Sequence, residues 1–358
     1  MITLLNKLLL KKRGCLIFEM ASNFVKMKYL FLLILGLTII SCHKKNEDDL
    51  AFQLTYPSYF PTPVYEFENN ELTKARFDLG KKLFFDKQLS SNGTISCNSC
   101  HAQGHAFADH NVSLSEGVNG AIGTRNSPSL SNMIWSPSFM WDGGVNHIEV
   151  FSVAPITNPL EMNETMSNVI SKLNNSSEYK NLFKIAYGID NITDQAMLRA
   201  LTMYMSMMVS CNSKYDKLRQ GKVSFSSDEA DGYELFKQKC ASCHSEPLFT
   251  NYQFVNNGLD SIFTDLGRGE ITFNANDNGK FKVPSLRNVE LTYPYMHDGR
   301  FWSLNDVLDH YDHGIKSSST LAPSLQNGIP LTVNEKTKLI AFLKTLTDYD
   351  LLGNSLFY

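Results

Sequence analysis

Two stretches of this chain carry residues whose types and order define one chemistry. Cys97-Asn98-Ser99-Cys100-His101 and Cys240-Ala241-Ser242-Cys243-His244 both read C-x-x-C-H. Paired thiols at this spacing can add across the two vinyl groups on one porphyrin edge. The His that follows is then carried to the iron as its proximal ligand. A single such pentapeptide also fits a zinc or redox C-x-x-C that happens to precede His. Two copies, in a chain that starts like an exported one, point to two covalently bound c-type haems. Cys97, Cys100 and His101 would hold the first, and Cys240, Cys243 and His244 the second.

The chain that must position them has 358 residues, enough for about two domains. Its hydrophobic fraction of 43% suits a sizeable core, and a net charge of -3 gives no nucleic-acid footprint. Residues 29–40 form a mostly apolar run behind Lys26 and Lys28. That is the n-region and h-region of an export signal, and it is short for a spanning helix. It ends Ile39-Ile40-Ser41-Cys42, similar to a bacterial lipobox with Cys42 as the lipidated residue. Residues 1–42 are therefore expected to be an export signal, with Met27 a better start than Met1, and residues 43–70 a polar tether. The protein is expected on the periplasmic side of a bacterial membrane, anchored only by lipid at Cys42. Of the seven cysteines, four serve haem and Cys15 and Cys42 lie in the targeting region. Cys211 is left alone and reads as a buried core thiol, so no disulfide framework is implied.

Further along, Gly80-Lys81-Lys82-Leu83-Phe84 precedes the first haem motif and Gly232-Tyr233-Glu234-Leu235-Phe236 the second. Both are G-x-x-L-F, the pattern of a helix that needs a small residue at a close crossing and apolar residues toward a haem. A long Gly-, Asn- and Ser-rich loop over 105–137 must cover the second face of the first haem. Residues 163–173 and 193–215 read as helices; the methionines of the latter are core filling rather than iron ligands. Residues 220–227 read as the linker, with Ser227 able to cap the next helix. A closing helix over 334–347 starts from a Thr332/Glu335 capping box. The expected fold is all-α and loop-rich, with two cytochrome c-like domains over 71–222 and 223–358 and the haems near their interface.

Between the motifs stand Arg125-Asn126-Ser127-Pro128-Ser129-Leu130, Met140-Trp141-Asp142-Gly143 and Pro159-Leu160-Glu161-Met162. With the L-G-K-x-L-F-F-D run before Cys97, these elements resemble, in order, the bacterial diheme cytochrome c peroxidase and MauG family. The resemblance covers about residues 79–311. It implies that His101 ligates the peroxide-reacting haem, that Trp141 sits between the haems, and that Glu161 is the distal acid–base. Read alone, Glu161 is a helix first-turn carboxylate and Trp141 a core aromatic. The resemblance also implies one calcium ion, held by the Asn126 side chain and the Thr292 and Pro294 carbonyls, oxygen ligands suited to a hard cation.

Two departures from the family pattern bear on function. The loop Gly117-Val118-Asn119-Gly120-Ala121-Ile122-Gly123 lacks the His that blocks the first iron in diheme peroxidases. His105 and His110 come too early for it and read as surface or loop residues. The first haem is therefore expected to be open without prior reduction. Phe151 stands where the family commonly has Gln. For the sixth ligand of the second haem, the family position falls nineteen residues after Thr292, at Tyr311. Met296 is the second candidate and His310 the third; a thioether raises the reduction potential and a phenolate lowers it. The leading function is reduction of hydrogen peroxide to water with electrons from a small cytochrome c or cupredoxin. The alternatives are a MauG-like oxidase of a protein substrate and a non-enzymatic diheme electron carrier. Family members are often homodimers.

Overall fold

The computed structural model describes residues 52–358; the expected export signal, Cys42 and the first part of the tether lie outside the described residues. Among the described residues, no helix is long and apolar enough to cross a membrane. The fold is mostly helical. The only strands among the described residues are Phe254–Val255 and Phe281–Lys282, paired antiparallel with Phe254 opposite Lys282. They are a local departure from the all-α expectation.

Each half is built on one helix crossing. In the first, Lys74–Phe85 crosses Asp194–Ser206; in the second, Ser227–Lys239 crosses Val333–Lys344. The glycine of each G-x-x-L-F motif lies at the crossing. A Cβ on Gly80 would stand 2.0 Å from the Ala200 carbonyl oxygen, and one on Gly232 1.9 Å from that of Lys338. Both contacts are far inside van der Waals separation, so only glycine allows the backbones this close. Behind the first crossing, Phe77, Phe84 and Phe357 surround the fully buried Tyr204, with ring centroids 4.9–5.8 Å away. The Tyr204 hydroxyl donates to the Phe357 carbonyl at 2.9 Å, so the aromatic body is buried and its polar tip is satisfied.

Several expected boundaries shift. The tether cannot run to residue 70: Phe60 and Tyr65 are buried, and Phe52, Leu54 and Tyr56 pack on the first core. Aromatic content, not charge, decides that segment. The 193–215 helix stops at Ser206. Residues 207–212 leave the helix because Asn132 and Asp348 offer better partners: Ser210 N–H donates to Asn132 Oδ1, and Cys211 and Asn212 N–H to Asp348 Oδ2. A new helix, Lys214–Arg219, begins at the Ser213/Asp216 capping box and already belongs to the second core through Tyr215. Ser226, not Ser227, caps Ser227–Lys239, while the Thr332/Glu335 box forms as the sequence suggests. The tail returns to the first half, where Leu351 and Phe357 join its core. Cys211 is partly buried against that core, and burial pushes its thiol up to about 12.

Asp216 and Arg287 form a buried ion pair at 2.8 and 2.9 Å, with the Tyr59 hydroxyl donating to the same carboxylate at 2.8 Å. It joins the N-terminal segment, the middle helix and the second half. Burial alone would raise the Asp216 carboxyl, but the Arg287 hydrogen bonds and charge outweigh it and hold it below the usual range.

Ala has the better helix propensity by ~1 kcal/mol, yet Gly80→Ala and Gly232→Ala are expected to destabilise by roughly 1–3 kcal/mol through overpacking. Urea unfolding checks the sign; a stabilised variant would mean the crossings are looser than described.

Candidate active site

The haem-motif histidines are presented in one tautomer. His101 Nδ1 lies 2.9 Å from the Phe107 carbonyl, and His244 Nδ1 lies 3.2 Å from that of Phe249 and 3.1 Å from that of Pro284. A carbonyl only accepts, so Nδ1 carries the proton in both rings and the Nε2 lone pair is left for a metal. Burial lowers the pKa of both imidazoles. The thiols are partly buried: Cys97 and Cys240 are pushed up to about 12 and Cys100 to about 11, desolvation being the main cause in each. Redox C-x-x-C pairs depend on the opposite shift. Among the described residues, no group of three or more His, Cys, Asp or Glu is gathered as a zinc site would require. Both alternatives to haem therefore lose support at the motif itself.

A cavity of about 270 Å³ opens on the second motif, close to the lower end of cofactor sites at ~300 Å³. Cys240, Cys243, His244, Met296 and Tyr311 all line it. Two groups on its wall fit a porphyrin that carries carboxylates. His297 is 8% exposed and its buried Nδ1 has no partner. Lys282 is drawn inward, and burial pushes its ammonium down to about 8; it donates to the Ser138 carbonyl and the Ser136 hydroxyl. The Lys282 cation favours an anionic neighbour, and the orphaned His297 nitrogen is open to a hydrogen bond. The residues present thus fit a covalently attached haem. His310 is not on this wall, because its Nε2–H is donated to the Asn257 carbonyl at 3.0 Å. Tyr311 sits in a π-helical turn, His310–Gly314, that continues Leu304–Asp309. Burial raises its hydroxyl pKa.

Trp141 lies on the wall of this cavity and of a second one, about 120 Å³, which Met140 and Phe151 also line. Its Nε1–H donates to the Asn126 carbonyl at 2.8 Å. The Asn126 N–H in turn donates to the His297 carbonyl at 2.7 Å. Asn126, Thr292 and Pro294, the expected calcium ligands, line the large cavity together. Arg125 fixes the turn: it pairs with Asp142 beside Trp141 and, at 2.7 and 2.8 Å, with both oxygens of Asp265 in the second half.

Glu161 lies outside the helix, which begins at Met166 with Thr165 as its cap. Desolvation raises its carboxyl pKa, opposed only by the Asn158 amide, which donates to Oε1 at 2.7 Å. It is close enough to both first-motif thiols for its charge to push their pKa values upward. The loop that lacks a blocking His rests against it: Val118 N–H donates to the Glu161 carbonyl at 2.8 Å, and a Cβ on Gly117 would lie 2.5 Å from that oxygen. His105 and His110 are not isolated surface residues; their rings stack at 4.1 Å with both Nδ1 atoms buried.

An internal repeat locates His297 where motif reading does not. Pro128-Ser129-Leu130-Ser131-Asn132 and Pro284-Ser285-Leu286-Arg287-Asn288 correspond, and thirteen residues after each Pro comes Trp141-Asp142-Gly143 or His297-Asp298-Gly299. The backbone repeats too: Asn132 and Asn288, Met140 and Met296, and Gly143 and Gly299 all have positive φ. His297 is thus the counterpart of Trp141, and both turns press on the opposite half. A Cβ on Gly143 would meet the Phe254 ring at 2.3 Å, and one on Gly299 the Ser113 carbonyl oxygen at 2.5 Å.

The model of the di-haem cytochrome c peroxidase family matches residues 74–224, and that of cytochrome c matches residues 229–347. The methylamine utilization protein MauG of Methylophilus methylotrophus is 33% identical over 81% of this chain and 86% of its own length. The cytochrome c551 peroxidase of Nitrosomonas europaea is 34% identical over 75% and 79%. The chain belongs to the diheme cytochrome c peroxidase and MauG family. A crystal structure of a MauG-like protein associated with microbial copper homeostasis superposes with a TM-score of 0.78, at 31% identity over 86% of this chain and 98% of that one. The family carries two c-type haems, matching the two motifs and the two histidines of like tautomer. Pyridine haemochrome analysis is expected to give two haems per chain, falling to one when Cys240 and Cys243 are both changed to Ser. Two haems remaining in that variant would contradict the assignment.

Proposed function

We propose that this chain reduces hydrogen peroxide to water on the periplasmic side of a bacterial membrane, using electrons from a small cytochrome c or cupredoxin. Glu161 carries the reading: a desolvated carboxylate with one amide partner, in the electrostatic field of the first haem motif. When bound, the haems supply the iron at which peroxide is cleaved and the two electrons that its reduction takes up with two protons. His101 and His244 would hold them, with Tyr311 closing the second. Glu161 takes the proton from one peroxide oxygen and delivers it to the other, which leaves as water. A carboxyl whose pKa burial raises above the ordinary Glu value suits both halves of that transfer. Trp141, pinned by Asn126 and the Arg125 network, offers a fixed π-system between the two cavities. A calcium ion on Asn126, Thr292 and Pro294 and a lipid anchor at Cys42 complete the proposal.

A second reading is kept because Tyr311 lines the cavity: a MauG-like oxidase that withdraws electrons from a protein partner. Steady-state turnover with peroxide and a reduced small cytochrome separates them. Rapid turnover is expected; a long-lived oxidised diheme state with negligible turnover would overturn the peroxidase.

Glu161→Gln is expected to lower kcat by about 10²–10⁴-fold. The folded pKa of Glu161 is raised, so its ionisation works against the fold as pH rises through that value. The Gln variant should then be no less stable at neutral pH, which separates lost chemistry from lost structure. In the parent enzyme the acid limb of kcat against pH should lie above the ordinary Glu value of about 4.3; a limb at or below it would contradict the role.

A further inference from the structure

Asn257 touches every side chain that could close the second iron. Its own placement is rigid. Asn256 is 2% exposed, and its Nδ2 donates to Ser318 Oγ and Thr320 Oγ1, both at 2.9 Å. Asn256 Oδ1 accepts the Gly258 N–H at 2.8 Å. Gly258 has φ +74° and leaves no room for a Cβ, which would stand 2.6 Å from Ile315 Cγ2. Residues on both sides of Asn257 are therefore tied to the 315–321 loop, and its side chain is presented from a fixed point.

From there it makes three connections. The backbone carbonyl takes the His310 Nε2–H at 3.0 Å, which removes that nitrogen as a ligand. The side-chain Nδ2 donates to Met296 Sδ at 3.4 Å. The same side chain is within hydrogen-bonding reach of the Tyr311 hydroxyl. Asn257, Met296 and Tyr311 all line the large cavity. Met296 is unbranched and adaptable, so a free thioether could sweep much of that space. A thioether and a phenolate pull the reduction potential of a haem in opposite directions, so which of them reaches the iron decides what the second haem can do.

We propose that Asn257 selects the axial ligand of the second haem: its side-chain amide tethers the Met296 thioether and leaves the coordination place to the Tyr311 oxygen. This rests on the reading of Tyr311 given above. Asn257 acts through other residues, so it is a positioning residue and the test must read the ligand itself.

The test uses the holoprotein with Asn257→Leu, similar in volume but without the amide, followed by magnetic circular dichroism and redox titration of the second haem. The parent protein is expected to show a His–tyrosinate ferric haem. In the variant the ratio of thioether- to phenolate-ligated haem should rise roughly fivefold, the factor for one neutral hydrogen bond, and the potential should rise with it. Adding Met296→Leu to that variant should restore the parent signature, which general damage to the cavity would not allow. An unchanged ligand signature in Asn257→Leu, or failure of the double variant to recover, overturns the role of Asn257 while leaving Tyr311 in place. A parent protein that is already thioether-ligated removes the Tyr311 reading, and the proposal with it.

Discussion

The structure depends on two aspartate–glycine turns, one from each half, each held against residues of the opposite half. Trp141-Asp142-Gly143 and His297-Asp298-Gly299 are counterparts, and each glycine lies against the opposite half, where a side chain would not fit. Arg125 locks the contact by pairing with Asp142 in its own half and with both oxygens of Asp265 in the other. These ions are partly screened from water, and the Arg125–Asp265 pair is bidentate. That combination gives direction as well as attraction. The hydrogen-bond chain from Trp141 through Asn126 to His297 then runs across the contact without a gap. This packing ties the Trp141 turn of the first half to the His297 turn of the second.

The same repeat shows how two similar halves come to differ. At the Trp141 position, the second half has an imidazole. Elsewhere the second half turns through Tyr311 in a π-helical segment, while in the first the Gly117–Val118 loop lies on the Glu161 turn. Apolar surroundings raise the Glu161 carboxyl, while ion pairing holds Asp216 and Asp265 below the ordinary range despite their burial. Carboxylates of one chemical type thus divide into one whose pKa burial raises and others that pairing holds low and that tie the halves together.

Much of this was legible in the sequence because it depends on local chemistry. The haem motifs, the capping box at Thr332 and the glycine crossings are set by residues a few positions apart, and motif order is what singles out Glu161 and Trp141 as candidates. What the sequence concealed depends on partners far along the chain. The segment from Phe52 reads as tether until its aromatics are seen packed on the first core. The 193–215 helix breaks because Asn132 and Asp348, distant in sequence, take its N–H groups. Asn257 carries no motif; only the cavity shows that its amide meets Met296 and Tyr311. The repeat that aligns His297 with Trp141 is readable from the residues, but only once the Pro-to-turn spacing is compared between the halves.

The proposal turns on an asymmetry: the first iron would keep one face free beside Glu161, while the second would be closed by protein on both faces. Electron paramagnetic resonance of the fully oxidised protein tests it most directly. The account predicts one high-spin and one low-spin ferric haem in equal amounts, with cyanide converting only the former. A spectrum containing low-spin haem alone, unaltered by cyanide, would contradict it.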